Sequence, residues 1–489
     1  MYSVSKVYSE DQRQSTWVLS DTDTCMPVLH PTLYMLSKSG NAQSTRESDL
    51  RAISFFYTFW ERKFGHSFCY YLITNKYDLS EPISELETFF DWLCSKQHLD
   101  DIPFDEAVHY LNTATTKFKQ TNAKRVRVVA RFFKHLISHY ITLKYQDLSV
   151  KECSKMRQNY RDELAEYEKE LKLLLKQGGK GTGTYSVYKS IPDLMRRAII
   201  VISTPSTPSR PNNRNPFKHK NEWMQQFIQL RNDLMIRLYF NYGLRRGELL
   251  LLDINSVKMS APTPAGEVKY LLAVTNLDDD YIDPRAYEPS IKTIYSHRVI
   301  SLTQRDYKHL KGFINQYRSK LFNDNNVEQH EVLFTSSQSP YKPISVSRVK
   351  DIFKILDEAI TKHYPDFRNT AIYESIPPLT PVVARHTWAY ELLKYNYAKE
   401  YEISIKIAAH TGGEFIADKQ IMENVVDSLK NLGGWSDYSN MPRNYGKRFF
   451  AEQANQKNIH RVNEDAKKVK DELESIIETE KTEDIFDAF

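Results

Sequence analysis

The chain has 489 residues, of which 41% are hydrophobic and 26% are charged, a balance typical of a globular protein with about two to four domains. No apolar run approaches the roughly 20 residues that a membrane helix needs. Residues 1–14 are polar and lack the apolar stretch of a secretory signal. The composition therefore argues against a membrane-spanning protein and predicts one that stays where it is made.

The net charge of +5 is unevenly distributed along the chain. Residues 471–489 contain eight acidic residues and one lysine, a net of −7, so residues 1–470 carry +12. The positive charge of residues 1–470 favours a polyanionic partner such as nucleic acid, although lysine and arginine also keep surfaces soluble.

The four cysteines are widely separated and lack zinc-ligand spacing, which predicts reduced structural thiols and no metal site. They are Cys25, Cys69, Cys94 and Cys153.

The first part of the chain is predicted to be a polar arm, residues 1–43, followed by a helical domain over residues 44–176. A Ser-x-x-Glu capping box at Ser44 begins a helix with apolar residues at helical spacing. A second helix over residues 123–143 has one apolar face and a basic flank. That flank is either a solvated surface or a nucleic-acid contact.

A glycine-rich segment predicts a linker over residues 177–189, and a second domain follows over residues 190–450. Residues 451–489 are predicted to form a C-terminal helix and an acidic tail. The fold class is therefore mainly α with a small antiparallel β-sheet (α+β). The elements predicted from periodicity in the second domain are a helix over 221–242, strands over 268–275 and 298–302, and helices from Asp306 onward.

Several segments of the second domain place chemically useful side chains among apolar neighbours. Gly243 can end a helix and let Arg245 emerge at the start of the next one. Arg385 follows Pro381 in an otherwise apolar helix start, and an arginine in such surroundings needs an anionic partner. A Leu-Gly-Gly-Trp segment containing Trp435 precedes Tyr445. Taken alone, the Arg245 segment also fits a simple i, i+3 surface ion pair.

The order of these segments resembles the catalytic domain of the tyrosine recombinase (phage integrase) family. The resemblance consists of a Gly-Leu-Arg-x-x-Glu-Leu box, a hairpin lysine, a His-x-x-Arg-His box, a Leu-Gly-His/Trp box and a terminal tyrosine. It covers residues 190–447, and residues from Ser44 onward more weakly resemble the family's core-binding domain. The resemblance implies a tyrosine recombinase/type IB topoisomerase-like catalytic fold preceded by a helical DNA-binding domain.

The resemblance implies catalytic roles for five residues. Arg245 and Arg385 would clamp the scissile phosphate, since guanidinium groups donate paired hydrogen bonds to its oxygens. Lys292 would be the general acid for the leaving 5′-oxygen, and Trp435 would donate its indole N–H to the phosphate. Tyr445 would attack phosphorus and form a 3′-phosphotyrosine. Two of these residues also have a non-catalytic alternative: Lys292 as a solvated hairpin lysine and Trp435 as a core aromatic residue.

Further residues have supporting or DNA-contacting roles. Glu248 and His386 would support the site by packing and pairing. No cofactor and no metal are implied, because the arginines supply the charge stabilisation that Mg²⁺ provides in many nucleases. Six basic residues are expected to contact DNA phosphates: Arg125, Arg127, Arg131, Lys134, Lys218 and Lys220.

The sequence departs from the family pattern at several points. Val382 stands where the family usually has a histidine, which puts one auxiliary role in doubt. The spacing from Trp435 to Tyr445 is one residue longer than usual, so Tyr438 is an alternative nucleophile. Two insertions, residues 276–290 and 410–431, have no assigned role.

The resemblance implies a site-specific recombinase or integrase that cuts and rejoins DNA, for integration or excision of a mobile genetic element. The alternatives are a catalytically silent DNA-binding or architectural protein and a type IB topoisomerase-like enzyme. The expected partners are double-stranded DNA, further copies of the chain in a dimer or tetramer on DNA, and accessory proteins. The expected location is the cytoplasm in association with DNA, or the nucleoid in a prokaryote.

The helix after Tyr445 is a further candidate contact between copies, because the family's C-terminal helix often packs into a neighbouring protomer. Its candidate anchors are Ile476, Ile477, Ile485 and Phe489.

Overall fold

The computed structural model describes residues 1–8, 15–95, 116–177, 188–264, 266–277, 281–285, 288–291, 293–372, 375–411 and 418–486. The chain divides into two compact units, Met1–Thr184 and Tyr185–Phe489. Each unit has its own hydrophobic core. Residues 178–187 of the predicted linker lie outside the described ranges.

The first unit combines a β-hairpin with a helical bundle. The hairpin pairs β1 (Tyr2–Tyr8) with β2 (Ser15–Asp21) in antiparallel register, from Tyr2 opposite Asp21 to Tyr8 opposite Ser15. Its helices in chain order are α1 (Leu29–Ser37), α2 (Gln43–Phe64), α3 (Phe68–Thr74), α4 (Ser80–Cys94), α5 (Thr116–His139), α6 (Ile141–Lys144) and α7 (Val150–Gln177).

The structure corrects the prediction that residues 1–43 form a polar arm. Trp17 and Leu19 of β2 and Tyr34 and Met35 of α1 are buried in the core of the first unit. An extended strand needs only a few apolar residues to bury one face, so its composition stays polar. The hairpin and α1 are therefore integral to the first unit.

Aromatic packing dominates the first core. The ring of Phe56 on α2 makes edge-to-face contacts with Phe68, Phe89 and Phe133, with centroid separations of 5.1, 5.3 and 5.3 Å. These rings come from α3, α4 and α5, so one side chain joins four helices. Such aromatic pairs contribute about 0.5–1.5 kcal/mol each beyond the burial of their area.

The second unit is mainly helical around a small sheet. The sheet has the order β3 (Val257–Met259), β4 (Tyr270–Val274) and β5 (Arg298–Leu302), and both pairings are antiparallel. Its helices in chain order are α8 (Asp193–Ser203), α9 (Glu222–Tyr242), α10 (Arg246–Leu251), α11 (Gln304–Gly312), α12 (Ser319–Asp324), α13 (Val346–His363), α14 (Pro381–Thr411), α15 (Asp418–Gly433), α16 (Met441–Tyr445) and α17 (Lys447–Phe486).

Helix α9 is the centre of the second unit, because nearly every residue from Phe227 to Tyr242 is buried. Arg231 is fully buried on this helix and donates from Nη1 to the Thr335 carbonyl at 2.8 Å. A smaller apolar cluster joins α14, α15 and α17 through Leu393, Leu429 and Phe449. Helix α9 therefore provides a rigid base from which the next turn projects.

The predicted fold class is confirmed: the protein is mainly α with small antiparallel sheets. The strand predicted over 298–302 is β5, and the helix predicted over 221–242 is α9 with Asn221 as its N-cap. The insertion over 410–431 contributes most of α15. Among the described residues, no helix has the length and apolarity that crossing a membrane would require.

Candidate active site

The turn after α9 positions Arg245. Gly243 ends the helix in the left-handed conformation, with φ of 62°, and a Cβ at this position would lie 2.2 Å from the Trp388 ring. Glycine is thus required for both its backbone conformation and its close approach to Trp388. Arg245 then adopts an extended conformation as the N-cap of α10.

A buried carboxylate organises the arginines around this turn. Glu248 has only 1% of its surface exposed. Its Oε1 accepts a hydrogen bond from Nη1 of Arg245 at 2.5 Å, and its Oε2 accepts from Nη2 of Arg298 at 3.0 Å and from the Arg245 backbone N–H at 2.8 Å. Nη1 of Arg385 lies 3.8 Å from Oε2. One carboxylate therefore serves three guanidinium groups.

Arg385 lies in the first turns of α14 and is 2% exposed. Its Nη1 donates to the carbonyl of Gly243, and its Nη2 donates to the carbonyl of Gly433 at 2.6 Å. Its Nε is buried and has no hydrogen-bond partner among the described residues. The guanidinium group of Arg385 thus connects the Gly243 turn to the end of α15, and its Nε–H remains available as a donor.

The electrostatics of the cluster favour an anion. Burial alone would raise the pKa of Glu248, but the guanidinium groups of Arg298, Arg385 and Arg245 hold it below its ordinary value. Burial lowers the pKa of Arg385 to about 9, with repulsion from Arg245 adding to the effect, so the group stays charged at neutral pH. Among the described residues, three positive charges face one carboxylate, and an added anion would balance the excess.

A glycine turn places Trp435 against the arginines. Gly434 has φ of 63°, and a Cβ there would lie 2.9 Å from Nη1 of Arg298. The guanidinium carbons of Arg385 and Arg245 lie 4.4 and 5.3 Å from the Trp435 ring centroid. These distances are within the range of cation–π attraction. Trp435 is half-buried, so it contributes both packing and a site contact.

Tyr445 ends α16 beside the same cluster. Its ring is stacked on His386 with a centroid separation of 4.2 Å, and it lies 5.1 Å from the Trp435 ring. The guanidinium carbon of Arg385 is 5.4 Å from the Tyr445 ring centroid. Tyr438, the alternative nucleophile, is 98% exposed. The structure therefore brings Tyr445, rather than Tyr438, to the arginine cluster.

His386 supports the tyrosine through its backbone. Its Nδ1 lies 3.2 Å from the Tyr445 carbonyl oxygen, and because a carbonyl only accepts, Nδ1 carries the hydrogen. Burial lowers the pKa of His386 to about 4. The imidazole is therefore neutral at pH 7, and it fixes both the main chain and the ring of Tyr445.

A pocket of about 740 Å³ opens in front of these groups. Its lining includes Arg245, Arg385 and Tyr445 from the site and Lys350 and Lys354 from α13. Val382 lies at its edge with 52% of its surface exposed. Lys292, the predicted general acid, lies outside the described residues.

The residues expected to bind DNA differ in how available they are. Arg131 pairs with Asp49 at 3.2 Å, Lys134 pairs with Glu168 at 3.0 Å, and both partners belong to the first unit. Lys218 is exposed on the second unit.

Arg125, Arg127 and Lys220 are the other three residues that are expected to bind DNA. Arg125 is half-buried over the Phe55 ring and lines a groove of about 710 Å³ that also contains Lys124. Arg127 is half-buried, and Lys220 is exposed.

Sequence reasoning missed Arg298 and Ser296 as members of the site. Arg298 pairs with Glu248 and also donates to the carbonyls of Leu432 and Ser296. The side chain of Ser296 accepts from Nη1 of Arg245 at 3.0 Å. The signal for Arg298 was the alternation of β5, which places residue 298 on the same face as the buried Ile300 and Leu302.

Comparisons with known proteins give distant similarities only. No protein-family model matches the chain, and no curated protein matches it. Solved structures that are similar include the XerA recombinase, at 12% identity, a TM-score of 0.29 and coverage of 87% of this chain and 96% of that one. The Tn1549 transposon integrase (residues 82–397) in complex with circular intermediate DNA has 14% identity, a TM-score of 0.33 and coverage of 70% and 95%.

The XerH site-specific recombinase bound to its difH substrate has 10% identity, a TM-score of 0.30 and coverage of 76% of this chain and 94% of that one. Similarity at this level assigns the chain to no family. Within the described part of the chain, no group of three or more His, Cys, Asp or Glu side chains is arranged to hold a metal ion.

Proposed function

We propose that this protein cuts and rejoins DNA strands by a tyrosine recombinase mechanism, with Tyr445 as the nucleophile. The observation that carries the proposal is the buried arginine cluster of Arg245, Arg298 and Arg385, which has excess positive charge and lies beside a tyrosine. A phosphodiester is an anion of the right size and geometry for guanidinium donors.

The proposed reaction exchanges one phosphodiester for another. The Tyr445 hydroxyl gives its proton to solvent water and its oxygen forms a bond to phosphorus, while the bond from phosphorus to the 5′-oxygen breaks and the leaving oxygen takes a proton from Lys292. The product is a 3′-phosphotyrosine and a 5′-hydroxyl, and attack by a 5′-hydroxyl reverses the step on the same or another strand. Because one ester replaces another, the reaction consumes no nucleotide cofactor.

The arginines stabilise the charge that builds on the phosphate oxygens in the transition state. Arg245 is 18% exposed and borders the pocket, so its guanidinium can meet the phosphate with little rearrangement. Nε of Arg385 has no hydrogen-bond partner among the described residues, and two carbonyls hold its other two nitrogens, so the guanidinium is already oriented before the reaction. Arg298 acts through Glu248, whose orientation it helps to fix.

One proton transfer and one hydrogen bond complete the proposal. Lys292 is assigned as the acid that protonates the leaving 5′-oxygen, an assignment that rests on the sequence resemblance alone. Val382 has no proton to give, so the family's usual histidine contribution is absent from that position. Trp435 is assigned as a donor to a phosphate oxygen from its indole N–H.

The biological setting belongs to the same proposal. We assign integration or excision of a mobile genetic element, carried out by a dimer or tetramer of this chain on double-stranded DNA, with accessory proteins as further partners. This assignment places the protein in contact with chromosomal or element DNA. It rests on the sequence resemblance and on the positively charged pocket.

Covalent trapping tests the nucleophile. Purified protein is incubated with nicked duplexes drawn from the DNA that flanks its own gene, without metal or ATP, and SDS-resistant protein–DNA adducts are measured. We expect an adduct with wild type and with the control Tyr438→Phe, and none with Tyr445→Phe.

Other outcomes select the alternatives. Adduct formation by Tyr445→Phe but not by Tyr438→Phe would transfer the nucleophile to Tyr438. Tight DNA binding with no adduct from any protein would instead favour a catalytically silent DNA-binding protein. Relaxation of supercoiled plasmid by wild type, without exchange between DNA molecules, would identify a type IB topoisomerase-like activity.

A further inference from the structure

The distal part of helix α17 extends beyond the packed surface of the second unit. Near its start, Phe449 is buried in the cluster formed with α14 and α15. From Ala454 to Glu474, every side chain of the helix is exposed. At 1.5 Å per residue, this stretch is about 30 Å long. A single helix of this length, exposed on all sides, is only marginally stable in water, so a partner would stabilise it.

Apolar residues follow one line along this exposed stretch. Ile459, Val462, Ala466, Val469 and Leu473 are separated by three, four, three and four residues. The four large side chains are between 47% and 59% exposed. This alternation of three and four is the a/d spacing of a heptad repeat, which faces a second helix in a coiled coil.

We propose that α17 pairs with α17 of a second copy of this chain in a parallel coiled coil. Only one heptad assignment fits the spacing: Ile459, Ala466 and Leu473 take the a positions, and Val462 and Val469 take the d positions. Asp465 is then at g and Lys470 at e. In a parallel, in-register pair, each g residue faces the e residue five positions later on the partner.

The flanking charges select a second copy in this orientation. In the parallel pair, Asp465 of one chain meets Lys470 of the other, and symmetry repeats the attraction on the opposite side. In an antiparallel pair the g positions face each other, which sets Asp465 opposite Glu472 and brings two carboxylates together. The existing ion pairs within the helix, Arg461 with Asp465 and Lys470 with Glu474, lie on its surface and leave the apolar line open.

The inference does not rest on the proposed DNA chemistry. It concerns side chains between Ile459 and Leu473, which include none of the residues assigned to the DNA chemistry, and the association should occur without DNA. Because the described apolar line spans about two heptads, we expect weak association that rises with protein concentration. Such an interaction would raise the local concentration of a second protomer once one protomer is bound.

The oligomeric state of the full chain without DNA tests the proposal. Sedimentation equilibrium from micromolar to hundreds of micromolar should show the average mass rise from 57.4 kDa towards twice that value. The variant Val462→Asn/Val469→Asn should stay monomeric across the range. The matched control His460→Asn/Lys467→Asn, which changes two residues at b positions, should associate like wild type.

Several results would overturn the coiled coil. One is a wild type that remains monomeric throughout, and another is a Val462→Asn/Val469→Asn protein that associates as well as wild type. Circular dichroism checks that both variants keep their helical content. Because none of these substitutions alters the arginine cluster, loss of association with retained DNA cleavage separates this inference from the proposed function.

Cysteine cross-linking tests the orientation. In a Cys25→Ser background, Val469→Cys should form a disulfide-linked dimer under mild oxidation, since d positions meet in a parallel pair. Lys467→Cys, at a b position, should cross-link at least tenfold more slowly. Equal rates for the two cysteines would contradict the parallel arrangement.

Discussion

Glu248 holds the arginine cluster together, so its charge should matter for stability. In Glu248→Gln, the guanidinium groups of Arg245, Arg298 and Arg385 would repel one another without a buried carboxylate between them. Removing one partner from a buried ion pair costs about 3–5 kcal/mol. We expect the free energy of unfolding, measured by urea denaturation of the full chain, to fall by about 3 kcal/mol or more.

An exposed ion pair provides the control for that substitution. Glu358 lies 3.9 Å from Lys354 on α13, and both side chains are mostly exposed. Because solvent screens such pairs, Glu358→Gln should change the free energy of unfolding by less than about 0.5 kcal/mol. Equal effects of the two substitutions would mean that Glu248 is not the charge that stabilises the cluster.

His30 makes the first unit sensitive to acid. The side chain is fully buried, with Nδ1 3.1 Å from Sγ of Cys69 and Nε2 2.9 Å from Oη of Tyr77. Burial lowers the pKa of His30 to about 4, whereas the unfolded chain keeps the ordinary value near 6.5. As pH falls below about 6.5, only the unfolded state gains this proton, so stability is lost until pH approaches 4.

The expected loss between pH 7 and pH 4.5 from His30 alone is up to about 3 kcal/mol. Urea denaturation at the two pH values should therefore show a smaller pH effect for His30→Gln than for wild type. His460→Gln, which changes a side chain that is 76% exposed, should keep the wild-type pH effect. An unaltered pH dependence in His30→Gln would assign the acid sensitivity to other groups.

At the scale of elements, the α9–α10 turn connects helix packing to the site. Gly243→Ala would place a Cβ against the Trp388 ring in a backbone conformation that L-residues rarely adopt. We expect a loss of at least about 2 kcal/mol in thermal or urea denaturation, together with displacement of Arg385, which donates to the Gly243 carbonyl.

Gly312 is the control position for the substitution at Gly243. It lies in a helical conformation on α11, and apart from its neighbours on the same helix no atom of the described residues lies within 4 Å of the position that a Cβ would occupy. Gly312→Ala should therefore be neutral or stabilise the protein by up to about 1 kcal/mol, because alanine has less conformational entropy to lose. A comparable loss of stability at both glycines would mean that the close contact with Trp388 is unimportant.

The periodicity of the sequence predicted the positions of helices and strands better than it predicted which side chains contact one another. The ends of α9, the position of β5 and the start of α14 at Pro381 were readable, because capping and alternation are local properties. The resemblance also named Arg245 and Arg385, which the structure brings to one carboxylate. The sequence did not identify Arg298 as a site residue, because its partner Glu248 lies 50 residues earlier and only the fold brings the two together.

The N-terminal segment illustrates the same limit. Trp17, Val18 and Leu19 form a short apolar run in an otherwise polar stretch, and they are buried because β2 packs against α1 and α2. The carbonyl acceptors of Arg385 were also beyond sequence reasoning, because backbone groups carry no sequence signature. Sequence thus named Arg245, Arg385 and Tyr445 as site candidates, whereas their contacts came from the structure alone.

At the scale of the whole molecule, four of the six basic residues expected to bind DNA should separate into two pairs. Arg131 and Lys134 are engaged by Asp49 and Glu168, whereas Lys218 and Lys220 are exposed. A lysine that contacts a phosphate releases about 0.9 of a counterion, and the logarithm of the binding constant then falls with the logarithm of salt concentration. Basic residues that are already paired with carboxylates should release fewer counterions from the DNA.

Fluorescence anisotropy with a random-sequence duplex over a range of KCl concentrations measures this slope. We expect Lys218→Ala/Lys220→Ala to reduce its magnitude by about 2, and Arg131→Ala/Lys134→Ala to reduce it by less than about 1. The second pair is the matched control, since both variants remove two positive charges. A larger reduction in the control would show that DNA displaces Asp49 and Glu168 from their ion pairs, and that the phosphate contacts lie mainly on the first unit.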